Sequence, residues 1–173
     1  MLIDVVERYR DILCCDPDDP DSEPEVSQTQ VWVNGKGEDG HETFAFHPDG
    51  RGFRFCKTAR KPYDLPVCEM LLILKRFIPV LDLRSDGLCL RLEYDERRGV
   101  VEGLDGNWCR ALFEVKRRYG ISFDVKIVRK PREPGTSSWR PPGEPNEYRS
   151  IRLMPGRGKV IVPASAAPGR VAS

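Results

Sequence analysis

The sequence predicts an α+β protein: a mainly antiparallel sheet built from two hairpin regions, with two amphipathic helices packed on one face. Apolar residues recur at helical spacing over 67–78 and 108–119. They alternate at strand spacing in shorter runs, at 28–33, 43–56, 88–94 and 121–127. Helices interleaved with hairpins favour antiparallel pairing with the helices on the sheet. An N-terminal helix and a mostly disordered C-terminal tail complete the prediction.

The N-terminal region divides into a helix and a linker. Residues 1–14 are predicted to form the helix, because Leu2, Val5, Val6 and Tyr9 lie close to helical spacing. Residues 15–27 contain the run DPDDPDSEPE, whose prolines and like charges predict a solvated acidic linker. The α+β domain is then expected over 28–128 and the tail over 129–173.

An aromatic hairpin follows a first strand at 28–33. Period-two alternation puts four phenylalanines on one face of it, namely Phe44, Phe46, Phe53 and Phe55. The glycines around Asp49 make the connection a tight turn. Such rings resemble stacking platforms for single-stranded nucleic acid, but the adjacent amphipathic helix needs an apolar face to cover, which favours a place in the core.

The first core helix is predicted by an apolar stripe that shares one face, Val67, Met70, Leu71, Leu74, Phe77 and Ile78. Asp64 is the expected N-cap, and Pro66 fits the first turn. A second strand pair, 80–83 with 88–94, is predicted around the turn Ser85-Asp86-Gly87. A helix from Trp108 to Tyr119 then ends at Gly120, and the last strand spans 121–127.

Charge and cysteine content limit the class of protein. The formal net charge of the 173 residues is +1, yet residues 129–173 hold nine Lys/Arg against three Asp/Glu, so a basic tail follows an acidic body. The six cysteines form no C-x-x-C pair, the first residues lack a signal-peptide run, and no stretch has the roughly 20 apolar residues that span a bilayer. A reducing, cytoplasmic location is expected, without membrane contact.

A cationic cluster marks the entrance of the first core helix. Arg54, Lys57, Arg60 and Lys61 lie where the aromatic hairpin leads into the helix, and helix N-termini favour anions. A phosphate contact is one interpretation, and a solvated connection that maintains solubility is the other. Asp64 argues against a bound phosphate, because its carboxylate lies at the same helix end. The sequence also lacks a phosphate-binding P-loop.

The sequence gives little support for a catalytic or metal-binding site. His41 and His47 are the two histidines, and six residues of strand place them roughly 20 Å apart, too far to share a metal. A Cys56–His47 pair across the hairpin is geometrically possible, but a thiol beside aromatic rings is more often inert. Asp86 is more simply a turn residue than an acid or base. No cofactor, metal or catalytic residue is predicted.

The leading hypothesis is therefore a small non-catalytic binding protein that contacts nucleic acid or another polyanion. Arg54, Lys57, Arg60 and Lys61 would form a folded patch. Lys130, Arg132 and Arg140 in the tail would add non-specific electrostatic affinity. The alternative is a protein–protein module, an inhibitor or adaptor, whose acidic body and Pro-rich tail dock on a partner. The third hypothesis is an enzyme of unknown class.

Overall fold

In a computed structural model of the chain, three α-helices and eight β-strands lie within the described residues, which are 1–47, 56–83, 85, 93–95, 100–102, 106–131 and 147–156. In chain order the elements are α1 (Leu2–Arg8), β1 (Leu13–Cys14), β2 (Glu25–Val26), β3 (Val31–Gly35), β4 (Phe44–Phe46), α2 (Asp64–Phe77), β5 (Glu93–Asp95), β6 (Val100–Glu102), α3 (Gly106–Tyr119), β7 (Phe123–Pro131) and β8 (Glu147–Pro155). The α+β class and the antiparallel pairing predicted from the sequence are confirmed. The described strands form three sheets, one of four strands and two of two strands.

The four-stranded sheet is organised around β3, which pairs antiparallel with β1, β2 and β4. Its side chains alternate as a half-buried strand requires. Val31 and Val33 are buried, whereas Trp32 between them is 39% exposed. The strand thus begins later than predicted and continues to Gly35.

A tight turn after β3 is held by the buried side chain of Asn34. Its Oδ1 accepts hydrogen bonds from the amides of Gly35 (2.8 Å) and His41 (3.1 Å), and its Nδ2 donates to the His41 carbonyl (3.1 Å) and to Thr43 Oγ1 (3.0 Å). Every polar atom of the amide is therefore paired, as burial demands. The turn is so compact that a Cβ on Gly40 would lie 2.6 Å from Cβ of Pro17.

The acidic segment 15–27 is exposed at most positions, as a solvated linker would be, yet it has its own hydrogen-bonded turns. The Asp19 amide donates to the Asp16 carbonyl (3.1 Å), and the Ser22 amide donates to the Asp19 carbonyl (2.9 Å). Val26 then pairs with Val31 in the sheet. The linker is thereby fixed to β3 at its C-terminal end.

Helix α2 is the centre of the core, because it is buried on almost every side. Within the predicted stripe Val67, Met70 and Leu74 are buried, but Phe77 is 59% exposed. Leu72 and Ile73, which lie outside that stripe, are buried as well. None of the helices in the described ranges is long and apolar enough to cross a membrane.

The chain after α2 folds back on the helix and does not form the strand predicted at 80–83. Lys75 is 8% exposed, and its Nζ donates to the carbonyls of Pro79 (2.8 Å) and Leu81 (2.5 Å) in this segment. A buried ammonium needs acceptors, and these two carbonyls supply them. The short hairpin in this region instead joins β5 and β6, and the predicted strand residues 88–92 lie outside the described residues.

Helix α3 and its stop at Gly120 agree with the sequence. Trp108, Ala111, Val115 and Tyr119 are buried on one face. Gly120 has φ +65°, and its amide donates to the Lys116 carbonyl (3.0 Å), the left-handed cap for which glycine is best suited. This cap turns the chain into β7.

A long two-stranded ribbon, β7 with β8, ends the described chain. Its base is attached to the body by Leu153, which is buried in the core, and a hydrogen bond from the Gly156 amide to the Ser122 carbonyl (2.8 Å) joins the two chain ends beside it. Strand β8 lies within the segment 129–173 that the sequence assigns to the tail. The prediction missed it because Pro, Gly and Arg surround a short alternating pattern at 148–154.

A buried polar network ties α1 to α2 and α3. Glu69 on α2 has a fully buried carboxylate, which accepts from Arg8 Nη2 (2.7 Å), Arg8 Nη1 (3.3 Å) and the Tyr9 hydroxyl (2.7 Å). Arg8 also reaches the Tyr119 hydroxyl (3.3 Å), and that hydroxyl donates to Asp4. Burial and the adjacent Glu69 raise the pKa of Tyr9 to about 12, so the phenol stays a donor.

Replacing Arg8 by alanine is expected to destabilise the fold by about 3–5 kcal/mol, because it leaves the Glu69 carboxylate buried without a counter-charge. The free energy of unfolding in urea measures the loss. Arg10→Ala, which removes an exposed cation two residues away, is the matched control and should change stability by less than about 0.5 kcal/mol. The double variant Arg8→Met/Glu69→Leu should recover most of the loss. If Arg8→Ala and Arg10→Ala lowered the free energy of unfolding equally, the stabilising role of the Arg8–Glu69 ion pair would be contradicted.

Gly40→Ala should destabilise the protein by about 1–3 kcal/mol, since the new Cβ would press on Pro17 and on the Gly35 carbonyl oxygen at 2.7 Å. Gly106→Ala is the comparison. A Cβ at Gly106 meets nothing within 4 Å, and alanine favours helix, so that variant should be neutral or slightly more stable. Thermal unfolding of both variants tests the pair, and a Gly40→Ala melting temperature equal to wild type would contradict the packing.

Candidate nucleic-acid interface

The cationic cluster predicted from the sequence lies on a strained turn between β4 and α2. The Lys61 amide donates to the Thr58 carbonyl (3.0 Å), and the two central residues, Ala59 and Arg60, have φ of 50° and 57°. Positive φ at both central positions is the type I′ pattern, which side chains other than glycine and asparagine adopt at a cost of about 1–2 kcal/mol each. Lys57 and Arg60 are exposed on this turn and Lys61 is half-buried; Arg54 lies outside the described residues.

Acidic and carbonyl groups alternate with these cations. The Lys57 amide donates to the Glu42 carboxylate (2.7 Å), and Lys61 Nζ donates to the Glu38 carbonyl (2.8 Å). The local field is therefore mixed in sign. These contacts favour a structural connection over a strong anion site at this turn.

Asp64 takes a role other than the N-cap predicted for it. It is the first residue of α2, and its carboxylate accepts from the Thr58 hydroxyl and from Asn107 Nδ2 (2.7 Å), so it joins the starts of α2 and α3. Tyr63 is the residue at the N-cap position, and it makes no side-chain cap hydrogen bond. The carboxylate thus lies at the helix end where the sequence suggested an anion, and its charge opposes one there.

The thiol of Cys56 is held in its unreactive form. Its Sγ donates to the Glu42 carbonyl (3.3 Å), which also accepts from the Tyr63 hydroxyl (2.8 Å). Burial raises the pKa of Cys56 to about 12, so the nucleophilic thiolate is scarce at neutral pH. His47 packs edge-to-face against Trp32, with ring centroids 6.3 Å apart. Within the described residues, no group of three His, Cys, Asp or Glu could hold a metal ion.

The aromatic hairpin contributes to the core where it is described. Phe44 is 5% exposed, and Phe46 packs against the core cluster. Both strand neighbours come from β3, since Phe44 pairs with Val33 and Phe46 with Val31. The core interpretation of Phe44 and Phe46 is therefore favoured over a stacking platform. Phe53 and Phe55 lie outside the described residues.

Basic residues collect instead on the β7–β8 ribbon, and the strand register places them opposite one another. Lys126 pairs with Arg152, and Arg129 pairs with Arg149. Like charges directly opposite each other destabilise a strand pair. Within the two strands five residues are basic, and Asp124 and Glu147 are the acidic ones. The ribbon thus carries an excess positive charge that its own pairing opposes.

The ribbon includes one residue of the predicted site and adds four others. Lys130 lies in β7, opposite Tyr148. Arg132 and Arg140 lie outside the described residues, so the ribbon cannot be extended to them. Sequence reasoning missed Lys126, Arg129, Arg149 and Arg152 as a group, because their proximity depends on the pairing register. The available signal was Ile151 and Leu153 alternating with polar residues.

Comparison with known proteins gives no relative from which a function could be transferred. No family model, no curated protein and no solved structure matches the chain. The functional argument therefore depends on the chain's own residues and on the ribbon in particular.

Relieving the backbone strain at residues 59 and 60 should raise the free energy of unfolding. Ala59→Gly removes a Cβ from a left-handed position and should stabilise the fold by up to about 1 kcal/mol. Ala45→Gly, at an ordinary position in β4, should instead destabilise it by roughly 0.5–1 kcal/mol. Chemical denaturation compares the two. If both variants lose stability alike, residue 59 does not hold the left-handed conformation.

Proposed function

We propose that the protein is a non-catalytic binding protein that contacts nucleic acid through the β7–β8 ribbon. The observation that carries the proposal is the register, which sets Lys126 opposite Arg152 and Arg129 opposite Arg149. Two like-charged pairs weaken a free ribbon, whereas a polyanion between them would turn the repulsion into attraction. A polyanion bound along the ribbon would therefore be attracted to both pairs.

The contrast with other cations of the chain supports this location. On α3, Arg117 and Arg118 bind Glu114 at 2.6 and 3.0 Å, and they lower the pKa of that carboxyl. At the turn before α2, the Lys57 amide donates to the Glu42 carboxylate, and Lys61 Nζ donates to the backbone carbonyl of Glu38. The ribbon instead has more cations than carboxylates along its paired length. We accordingly place Lys126, Arg129, Lys130, Arg149 and Arg152 at the binding surface.

Arg149→Glu separates this function from folding, because it should move stability and affinity in opposite directions. An opposite-charge pair with Arg129 replaces a like-charge pair, which should stabilise the free protein by roughly 0.2–1 kcal/mol. Binding to a fluorescent DNA should weaken, and the slope of log affinity against log salt should become shallower by about 1 or more.

Arg110→Glu on α3 is the matched control, since it makes the same change in net charge at an exposed position outside the ribbon. It should leave the salt slope within experimental error. Equal losses in the two variants would mean that net charge alone matters, and salt-independent binding or no binding to any polyanion would refute the proposal.

A protein-interaction module is the second candidate, favoured by large exposed apolar side chains. Phe113 on α3 is 62% exposed, Phe77 is 59% exposed and Val80 is 91% exposed. Exposed apolar groups of this size are common at protein interfaces. A stoichiometric partner that survives nuclease treatment, and is lost on Phe113→Ser but kept on Arg149→Glu, would favour this candidate.

A further inference from the structure

We infer that two copies of the chain associate, and that the outer face of α3 in one copy binds the acidic turn of the other. The outer face of α3 consists of Arg110, Phe113 and Lys116, and the acidic turn consists of residues 18–21. This association is separate from nucleic-acid binding by the ribbon, because neither surface belongs to the ribbon.

The outer face of α3 carries a phenylalanine between two cations. Phe113 is 62% exposed, and Arg110 and Lys116, three residues before and after it, are exposed as well. Residues three apart are neighbours on a helix surface, so the ring has a cation on either side, about 9 Å apart along the axis. The single carboxylate of α3, that of Glu114, is already bound to two other arginines. Within the described part of the chain, neither Arg110 nor Lys116 forms an ion pair.

The acidic turn has the opposite charge and a fixed shape. All four of its residues are exposed, and the surrounding residues 16–25 contain six carboxylates and no cation. The Asp19 amide donates to the Asp16 carbonyl, and the Ser22 amide donates to the Asp19 carbonyl. A surface that is ordered before binding loses less conformational entropy when a partner binds.

The aspartates at the start of the turn have the least compensation from their own chain. Asp21 lines a surface concavity together with Arg10 and Lys36. Asp18 and Asp19 lie outside that concavity, and no cation of the described residues forms an ion pair with either. Cations brought by a partner would offset the repulsion between these carboxylates.

The two surfaces match in charge and in side-chain type. Aspartates lie on both sides of Pro20 in the turn, as Arg110 and Lys116 lie on both sides of Phe113. Proline rings pack against aromatic side chains when Pro-rich segments are recognised, and carboxylates pair with arginine and lysine. The contact places Pro20 on Phe113 and the aspartates at the two cations. Each copy carries both surfaces, so the contact can be reciprocal about a two-fold axis.

Nucleic acid fits this face of α3 less well than the acidic turn does. Single strands are held by several bases stacked on aromatic side chains, and the other aromatic residues of α3, Trp108 and Tyr119, are buried. The carboxylate of Glu114 on the same helix also opposes a row of phosphates.

Sedimentation velocity of the full-length chain, over a range of protein concentrations, measures the association. We expect self-association at about 0.02 M salt that weakens at about 0.3 M, where charges are screened. Arg110→Glu and Phe113→Ser should each weaken it about tenfold or more. Lys57→Glu makes the same charge change as Arg110→Glu at an exposed residue outside both surfaces, and should alter the association by less than about twofold.

A charge exchange tests whether the two surfaces bind each other. Arg110→Glu/Lys116→Glu reverses the charge of the α3 face, and Asp18→Lys/Asp19→Lys reverses that of the turn. Neither variant should associate with itself, whereas an equimolar mixture should associate, because opposite charges then face each other in both contacts. Circular dichroism and thermal unfolding confirm that both variants are folded. A mixture that stays monomeric would overturn the inference.

The wild-type chain provides two further contrary outcomes. A chain that stays monomeric at about 1 mM in low salt would overturn the inference. Association that Arg110→Glu and Phe113→Ser leave unchanged would assign it to another surface and overturn the inference as well. Failure of the ribbon to bind DNA would alter none of these results, so the two proposals fail separately.

Discussion

The buried carboxylate of Glu69 is the constraint on which the body of the protein depends. It lies in the middle of α2, fully enclosed, and a carboxylate in that position is tolerated only with a counter-charge and hydrogen-bond donors. Arg8 and Tyr9 supply them from the N-terminal segment, and Arg8 also contacts Tyr119 on α3. One ionised group on the central helix thereby positions the first and third helices.

The consequences extend from this network to the sheet and to the ribbon. Because Arg8 is held at Glu69, the chain after α1 reaches the sheet as β1, which pairs with the end of β3. Tyr119 lies in the last turn of α3, and the Gly120 cap that follows it leads the chain into β7. Leu153 then fixes the returning strand to the core. The start of β7 and the end of β8 are therefore anchored in the core.

The sequence predicts those parts of the fold that depend on local periodicity. The apolar stripe of α2, the face and glycine stop of α3, and the alternation at the start of β7 can all be read from neighbours along the chain. Features that depend on contacts between residues far apart in the sequence cannot be predicted in this way. Glu69 and Lys75 look like members of a polar face, and only the folded chain shows that Arg8 and two backbone carbonyls make their burial tolerable.

The candidate site likewise has features that the local sequence predicts and features that depend on distant residues. The basic character of the C-terminal region is visible in composition, and so is the cluster at Lys57, Arg60 and Lys61. Which cations act together is decided by strand register and by nearby carboxylates. The carboxylates of Glu42 and Asp64 mix the charge of the turn before α2, whereas the register of β7 and β8 pairs basic residues that are 20 and 26 positions apart in the sequence. Neither effect can be read from one segment of sequence.

The most direct measurement of the central claim is a map of backbone amide chemical shifts in the isotopically labelled, full-length chain as a short DNA duplex is added. Binding through the ribbon predicts that the largest shifts occur from Lys126 to Lys130 and from Tyr148 to Arg152, with the amides of Lys57, Arg60 and Lys61 nearly unchanged. Shifts concentrated at that turn, or at the exposed Phe113 of α3, would contradict the claim.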